Sequence, residues 1–224
     1  MKFNIITLFP EMFSAIKDEG VISRALKNSI ISIKEWQLRD FSSNKYKNVD
    51  DKPYGGGAGM VMQVKPIRDC LRKIKELEPN TQVIYLSPQG DSLNQKLVEK
   101  LATFESLTLL CGRYEGVDQR IVENDIDYEI SIGDYVISGG ELASMVLIDA
   151  VSRQLDNVLG NKDSLNDSFS DNLLDHPHYT RPESIDGESV PDVLLSGNQA
   201  KIDAWRREQA IKKTKQKRPD ILSR

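Results

Sequence analysis

The chain has 224 residues, of which 39% are hydrophobic and 29% are charged. This composition excludes a collagen-like or wholly disordered chain, and no apolar run approaches the ~20 residues that a membrane-spanning helix needs. The formal net charge of −4 argues by itself against a nucleic-acid partner. However, residues 1–75 carry fourteen basic against eight acidic residues and residues 201–224 carry nine against three, so both regions can neutralise phosphates locally.

The first residues and the two cysteines predict a cellular location. The N-terminal stretch MKFNIITLFPEMF has one lysine, a short apolar run and no small-residue cleavage site, so we expect a first strand there and no signal peptide. Cys70 and Cys111 lie far apart in apolar surroundings, which is typical neither of a disulfide framework nor of a zinc site. We therefore expect a cytoplasmic protein that does not bind membranes.

Strand and helix patterns alternate through residues 1–153. Short β-rich or apolar runs predict strands at Phe3–Leu8, Ile30–Leu38, Val83–Leu86, Leu107–Cys111 and Tyr128–Ile132. Helical spacing predicts helices at Pro10–Ile16, Val21–Leu26, Val64–Ile74, Leu93–Leu101, Val117–Val122 and Gly140–Arg153. This alternation predicts an α/β fold with a mostly parallel sheet.

The pattern changes after residue 153. Residues 155–182 are rich in Asn, Asp and Ser without periodicity, which is typical of a functional loop or a linker. Helical spacing returns at Asn198–Lys213, and the chain then ends in a basic tail. We therefore predict an α/β domain over residues 1–153, a flexible interdomain linker over 154–182 and a small helical C-terminal domain over 183–224.

Three of the predicted strands run directly into turns that contain glycine, at residues 85–90, 110–116 and 131–141. Ligands bind at the carboxyl ends of parallel strands, and glycine lets the backbone approach them closely. A single loop of this kind is more often an ordinary turn, and three of them do not identify the ligand. The glycine fingerprint of dinucleotide-binding proteins and the P-loop motif are both absent.

The polar residues in the segment after residue 153 are compatible with both structural and functional roles. His176 and His178 flank Pro177, but no further metal-ligand pattern accompanies them, so a polar-loop role is favoured over a metal site. An aspartate in such a segment usually stabilises a turn. An aspartate beside a ligand crevice can instead act as a general base, and Arg153 can stabilise negative charge that develops on the ligand. The pattern leaves this choice open for the aspartates of the segment, Asp163, Asp167, Asp171 and Asp175.

Seven segments together resemble one family. They are ITLFPEMF at residues 6–13, KPYGGGAGMVM at 52–62, YLSPQG at 85–90, LCGRYEGVDQR at 110–120, SIGDYVISGGELA at 131–143, LIDAVSR at 147–153 and DSFSDNLLDHPHYTRPE at 167–183. On these segments, which are spread over essentially the whole chain, the protein resembles the bacterial tRNA (guanine-37-N1)-methyltransferases. These enzymes belong to the SPOUT class and use S-adenosylmethionine.

The resemblance implies a fold, a cofactor and a dimer. The α/β domain would contain a deep trefoil knot that holds S-adenosylmethionine, and two copies of the chain would form a homodimer. Gly112 and the backbone from Ile132 to Ile137 match the family's cofactor contacts. The full set of cofactor-binding residues expected in this way is Tyr85, Leu86, Pro88, Gly112, Tyr114, Glu115, Ile132, Gly133, Asp134, Tyr135, Val136, Ile137, Gly139 and Gly140.

The resemblance also implies roles in catalysis. Asp167 would take the N1 proton of guanosine 37 in tRNA, and Arg153 from the other subunit would stabilise the negative charge on O6. Family members need a magnesium ion, but no carboxylate cluster in this sequence marks its site. The basic tail would contact phosphates of the anticodon stem. Its expected contact residues are Arg206, Arg207, Lys212, Lys213, Lys215 and Lys217.

Two other functions are compatible with parts of the pattern. One is an α/β enzyme that uses a different nucleotide, such as a nicotinamide-dependent oxidoreductase, and the missing glycine fingerprint argues against it. The other is a non-enzymatic RNA-binding module, which would need neither Asp167 nor Arg153 in register with a cofactor pocket.

Overall fold

The computed structural model of the protein describes residues 1–160, 167–169 and 171–223. The chain divides into two compact units, the first ending at residue 161 and the second beginning at residue 162. None of the helices in the described ranges is both long enough and apolar enough to cross a membrane. The predicted division into two domains and a linker, with boundaries at residues 153 and 182, stays a prediction.

The first unit contains seven strands and six helices among its described residues. The strands are β1 (Lys2–Thr7), β2 (Ser32–Gln37), β3 (Asp50–Asp51), β4 (Val61–Met62), β5 (Gln82–Ser92), β6 (Ser106–Cys111) and β7 (Tyr128–Ser131). The helices are α1 (Ser14–Lys17), α2 (Gly20–Lys27), α3 (Val64–Leu77), α4 (Gln95–Ala102), α5 (Gln119–Asp125) and α6 (Gly140–Ser152). Two short 3₁₀ helices, Pro10–Phe13 and Leu38–Phe41, follow β1 and β2.

Five of the strands form one parallel sheet in the order β2-β1-β6-β5-β7. All six residues of the central strand β6 are buried, as expected for a parallel strand that helices cover on both faces. β2 lies at the edge, and its side chains are exposed or half-buried. Strands β3 and β4 form a separate antiparallel pair. The prediction of an α/β fold with a parallel sheet is confirmed.

Each face of the sheet packs against its own set of helices. One hydrophobic core combines side chains of the sheet with those of α2, α4 and α6, for example Ile22, Val98 and Leu147. The other combines the opposite side chains of the sheet with those of α3 and α5, for example Ile67 and Ile121. The period of two along the strands therefore supplies both cores.

Capping residues explain why two predicted helices begin later than expected. The helix predicted from Leu93 begins at Gln95, because the side chain of Asn94 accepts a hydrogen bond from the Leu97 amide at 3.0 Å. The helix predicted from Val117 begins at Gln119, because the side chain of Asp118 accepts from the Arg120 amide at 3.0 Å. Both caps satisfy amides that the first turn of a helix leaves without a partner.

The second unit is built around one long helix. Its described elements are β8 (Ser184–Ile185), β9 (Glu188–Ser189), α7 (Asp192–Leu195), α8 (Gln199–Lys217) and a 3₁₀ helix at Pro219–Ser223. The helix predicted at Asn198–Lys213 is therefore confirmed as α8, which is one turn longer. Thr214 of α8 is fully buried, and its hydroxyl oxygen accepts a hydrogen bond from the Leu174 amide at 2.8 Å. This bond fastens the segment before Asp175 to the helix.

Candidate active site

A cavity of about 250 Å³ lies beyond the carboxyl ends of β6 and β7, beside the irregular part of β5. Three segments line it, at residues 85–89, 112–116 and 130–140, so the three predicted glycine-containing loops meet at one place. All of the expected cofactor-binding residues line this cavity except Asp134. The cavity sits where parallel α/β sheets bind their ligands.

Tyr85 forms the floor of the cavity under Gly112. The Tyr85 side chain is buried, and a Cβ atom on Gly112 would lie only 2.8 Å from its Cε2 atom. Only glycine lets the backbone pass this close to the ring. Burial raises the pKa of the Tyr85 hydroxyl above its ordinary value, so the phenol stays protonated and can donate a hydrogen bond.

A buried ion pair between Arg113 and Glu141 connects two of the three loops. The Arg113 Nε donates to Glu141 Oε2 at 2.9 Å, and its Nη1 donates to the Ser138 carbonyl at 3.0 Å. Glu141 is fully buried, and its Oε1 accepts from the Thr7 hydroxyl at 2.8 Å. A Cβ on Gly139 would overlap Arg113 Nε, which explains a glycine at that position.

Sequence reasoning missed this ion pair. Arg113 and Glu141 lie in separate loops, and only the fold brings them together. The one local signal was a glutamate in the first turn of the mostly apolar helix α6. The pair fixes the loop after β6 against the start of α6, and therefore fixes two walls of the cavity relative to each other.

The rim of the cavity is formed by exposed aromatic and aliphatic side chains. Tyr135 and Val136 of the third loop are 56% and 86% exposed, and Tyr114 of the second loop is 49% exposed. The backbone of Tyr114 has a φ of 61°, a left-handed conformation that is uncommon for a bulky residue and is often found at functional sites. The rim can therefore contact a large substrate that approaches the cavity.

The glycine run at residues 55–59 ends beside the same wall. The Glu115 amide donates to the Met60 carbonyl at 3.0 Å, and the Met62 amide donates to the Gly116 carbonyl at 2.9 Å. Tyr54, at the other end of the run, is fully exposed. The run is therefore attached to the cavity wall at its C-terminal end.

The two predicted catalytic residues belong to different units of the chain. Arg153 follows α6 directly, its amide donates to the Asp149 carbonyl at 3.1 Å, and its side chain is half-buried. Asp167 is exposed in the second unit, next to Ser168, whose hydroxyl oxygen accepts from the Asp175 amide at 3.0 Å. Asp163 lies outside the described residues.

The basic residues expected to contact tRNA lie on α8. Five of the six are exposed, and these are Arg206, Arg207, Lys212, Lys215 and Lys217. Lys213 is half-buried, and its ammonium group donates to the Asp175 carbonyl at 3.1 Å. Lys213 therefore has a structural role in the second unit in addition to its charge.

Both cysteines are free thiols in the hydrophobic cores. Burial raises the pKa of Cys70 to about 12, and it also raises the pKa of Cys111. Thiols of this kind are unreactive near neutral pH, so neither cysteine is a candidate nucleophile.

Comparison with known proteins identifies the family. The family model described as tRNA (Guanine-1)-methyltransferase TrmD matches residues 1–224. The chain is 54% identical to the tRNA (guanine-N(1)-)-methyltransferase of Shewanella sediminis, over 99% of this chain and 93% of that protein. Proteins with the same description from Aliivibrio fischeri and Nitrosospira multiformis are 54% and 53% identical, over 99% of this chain and 90% and 89% of theirs.

The family match excludes both the nicotinamide-dependent oxidoreductase and the non-enzymatic RNA-binding module. The similarity extends over the whole chain, so it includes the cavity, the segment that carries Asp167 and the basic helix α8. The chain belongs to the tRNA (guanine-1)-methyltransferase family, and its activity is the methylation of N1 of guanosine 37 in tRNA.

Proposed function

We propose that the cavity formed by the three loops holds S-adenosylmethionine, and that Asp167 and Arg153 act on the guanine. The observation that carries this proposal is the convergence of the expected cofactor-binding residues around one cavity at the ligand-binding edge of the sheet. S-adenosylmethionine supplies an electrophilic methyl group on a sulfonium. The protein must bind it, exclude water and prepare the guanine as a nucleophile.

The lining of the cavity suits an adenosyl group. Leu86, Ile132 and Ile137 provide apolar walls for a purine ring. Loop backbone at Gly112 and Gly140 can offer amides and carbonyls to its polar edge and to the ribose hydroxyls. This explains why the cavity needs no phosphate-binding glycine fingerprint, because S-adenosylmethionine has no phosphate.

Asp167 and Arg153 have complementary roles in the proposed reaction. N1 of neutral guanine carries a proton and is a poor nucleophile, so a carboxylate must remove that proton. Asp167 does this as the general base. Removal of the proton leaves a negative charge shared between N1 and O6, and the guanidinium of Arg153 stabilises it.

We assign the active form as a homodimer in which these two residues come from different subunits. Leu142 and Val146 lie one turn apart on α6 and are 49% and 48% exposed, which is unusual for aliphatic side chains on a helix of the core. Their helical face continues to Asp149 and Arg153. A second copy that covers this face would therefore lie beside Arg153.

The deep trefoil knot is part of the same proposal. The Gly140 amide donates to the Gly112 carbonyl at 2.9 Å, and a Cβ on Gly140 would lie 2.8 Å from the Cys111 Cα. The start of α6 therefore passes in close contact with the end of β6. A chain that is threaded through a tight loop needs such a contact between backbones.

For the magnesium ion expected from the family, the described part of the chain contains no cluster of three carboxylate side chains. Magnesium prefers oxygen ligands in octahedral geometry. The described residues contain one cluster of three potential metal ligands, Asp175, His176 and His178, and two of these offer nitrogen. No step of the proposed reaction passes through magnesium.

Replacement of Asp167 by alanine tests the proposed mechanism. General base catalysis contributes about 10²–10⁴-fold, so Asp167→Ala should lose methyl transfer by roughly this factor. The affinity for S-adenosylmethionine should stay unchanged, because the cavity lies in the other unit. The measurements are transfer of a labelled methyl group to unmodified tRNA transcripts and calorimetry with S-adenosylmethionine.

Two controls complete this experiment. Asp171→Ala removes an exposed aspartate from the same segment and should leave the rate unchanged. A transcript with adenosine at position 37 should accept no methyl group from either protein. Near-normal turnover by Asp167→Ala would exclude Asp167 as the base, whereas loss of cofactor binding in that variant would exclude the proposed division between binding and catalysis.

A further inference from the structure

Three side chains in the second unit bring potential metal ligands together. The carboxylate of Asp175 and the imidazoles of His176 and His178 each offer a ligand atom, and these atoms all lie within 4.8 Å of one another. The proposed methyl transfer uses none of the three. The sequence pattern favoured a polar-loop role for the histidines because no partner was visible, and the structure supplies Asp175 as that partner.

The distances within this cluster are close to those of a metal site. His178 Nε2 lies 2.7 Å from Asp175 Oδ2, and His176 Nε2 lies 3.7 Å from Asp175 Oδ1. Nitrogen and oxygen ligands lie about 2.0–2.2 Å from a zinc ion, so neighbouring ligand atoms around it are roughly 3.0–3.5 Å apart. The two observed distances lie on either side of this range. Adjustments of a few tenths of an ångström would bring each histidine nitrogen to this distance from the Asp175 carboxylate, and the ligand atoms of all three residues already lie within 4.8 Å of one another.

A hydrogen bond selects the tautomer of the neutral His176 ring. His176 Nδ1 lies 3.1 Å from the Pro177 carbonyl oxygen, which can only accept, so in the neutral ring Nδ1 carries the proton and Nε2 presents its lone pair. Metal-binding histidines are typically oriented by such a bond from the second ring nitrogen. In His178 Nε2 lies 2.7 Å from the Asp175 carboxylate, and a metal ion between the two would bind the tautomer that carries its proton on Nδ1.

The backbone around Asp175 is held in place independently of any metal. The Asp175 amide donates to Ser168 Oγ at 3.0 Å, and its carbonyl accepts from Lys213 Nζ at 3.1 Å. The carboxylate also accepts from the His176 amide at 2.7 Å. These three bonds hold the carboxylate in a fixed orientation.

The chemistry of the three donors selects the kind of metal. Two imidazoles and one carboxylate suit zinc and its neighbours in the first transition series, whereas magnesium and calcium need oxygen donors. Three protein ligands leave at least one coordination position open. His176 and His178 also line a cavity of about 710 Å³ together with Arg181 and Arg206, so a water molecule or an anionic group can reach that position.

We propose that Asp175, His176 and His178 form a binding site for a first-row transition metal ion of the zinc type. None of these three residues lines the S-adenosylmethionine cavity. The site binds one ion per chain through His176 Nε2, His178 Nε2 and the Asp175 carboxylate, and the neutral ring of His178 then carries its proton on Nδ1.

Titration of the full-length chain with cobalt tests this site. Co²⁺ replaces zinc in such sites and acquires visible absorption bands when it is bound by nitrogen and oxygen ligands in a low-symmetry environment. The protein, without a polyhistidine tag and treated first with a chelator, should bind one equivalent of Co²⁺ with these bands. Zn²⁺ should abolish the bands, and millimolar Mg²⁺ should leave them unchanged.

Substitutions of single residues identify the side chains that bind the metal ion. His176→Gln and His178→Gln keep polar side chains of moderate size, and each should weaken Co²⁺ binding by roughly 100-fold, since loss of second-sphere partners alone costs 10–100-fold. Asp171→Asn removes an exposed carboxylate from the same segment and serves as the matched control with unchanged binding. Circular dichroism and affinity for S-adenosylmethionine should equal the wild-type values in all three variants, which separates this test from that of the methyl-transfer site.

Several outcomes would overturn the proposal. One is the absence of the visible bands at one equivalent of Co²⁺, and another is their persistence in the His176→Gln/His178→Gln double variant. Displacement of Co²⁺ by Mg²⁺ would show a site of oxygen ligands instead. An intense near-ultraviolet thiolate band would place the ion on Cys70 or Cys111 and would equally contradict the assignment.

Discussion

At the scale of single residues, the ion pair between Arg113 and Glu141 determines how the cavity is held together. The Glu141 side chain is fully buried and that of Arg113 is 16% exposed. A buried carboxylate that loses its cation keeps the cost of desolvation without the compensating attraction. Removal of one partner alone therefore destabilises the protein more than removal of both.

Replacement of Arg113 by methionine should destabilise the protein strongly. We expect Arg113→Met to lower the free energy of unfolding by about 3–5 kcal/mol, measured by urea denaturation, because Glu141 stays buried without its partner. Arg72→Met is the matched control. Arg72 also pairs with a carboxylate, that of Asp69, but its side chain is 68% exposed, so the loss should stay below about 1 kcal/mol.

A second substitution distinguishes loss of the charge partner from loss of packing. In the double variant Arg113→Met/Glu141→Leu no charge remains unpaired, so this protein should be more stable than Arg113→Met alone. Both variants should bind S-adenosylmethionine more weakly than the wild-type protein, because both lack the bond from Arg113 to the Ser138 carbonyl in the cavity wall. If the double variant were the less stable of the two, packing and not the unpaired carboxylate would explain the effect.

At the scale of elements, the sequence predicts what a continuous local pattern encodes. Leu107–Cys111 is apolar throughout except for Thr108, and it is the core of the fully buried strand β6. By contrast, β5 continues past Leu86 to Ser92 through polar and mostly exposed residues, which pair with β7 after a shift of register. No apolar periodicity marks that extension. The strand order also depends on pairings between distant segments, which local patterns do not contain.

In the candidate site, too, the sequence predicts only those features that a local pattern marks. Glycine-containing loops were detectable because the glycines stand directly after predicted strands, and all three loops line the cavity. Arg113 and Glu141 were missed because each looks ordinary in its own loop. The cluster of Asp175, His176 and His178 was missed because the orientation of the carboxylate depends on bonds to Ser168 and to the His176 amide.

The basic face of α8 allows a prediction about tRNA binding. Arg207, Lys212 and Lys215 are exposed on this helix, and phosphate contacts from such residues make binding weaker as salt rises. Replacement of all three by glutamine should weaken tRNA binding at low salt. The slope of log affinity against log salt should become shallower by roughly 0.7–0.9 for each phosphate that is no longer neutralised.

The matched control removes three cations from another helix. Lys65, Lys73 and Lys75 are exposed on α3, and their replacement by glutamine changes the net charge by the same amount. Filter binding or fluorescence anisotropy at four salt concentrations would compare the two triple variants. An equal change of slope in both would show that only the net charge matters and would remove α8 as a specific contact surface.

At the scale of the whole molecule, the distribution of charge reconciles an acidic protein with a tRNA substrate. The net charge is −4, yet residues 201–224 carry nine basic against three acidic residues. Most of these basic residues lie on α8 in the second unit, whereas the cavity lies in the first. The proposal thus places the contacts to the RNA backbone and the binding of the cofactor in different units of the chain, with Asp167 in the unit that carries α8.

The proposed dimer predicts that two inactive variants restore activity to each other. In a mixed dimer of Arg153→Ala and Asp167→Ala, one site receives both substitutions and the other site keeps both wild-type residues. Random exchange of equal amounts makes half of the dimers mixed, so about one quarter of the wild-type activity should return. The measurement is labelled-methyl transfer after the two proteins have been mixed and allowed to exchange subunits, with each variant alone as the control. If both residues acted within one chain, every site in the mixture would lack one of them, and no activity would return.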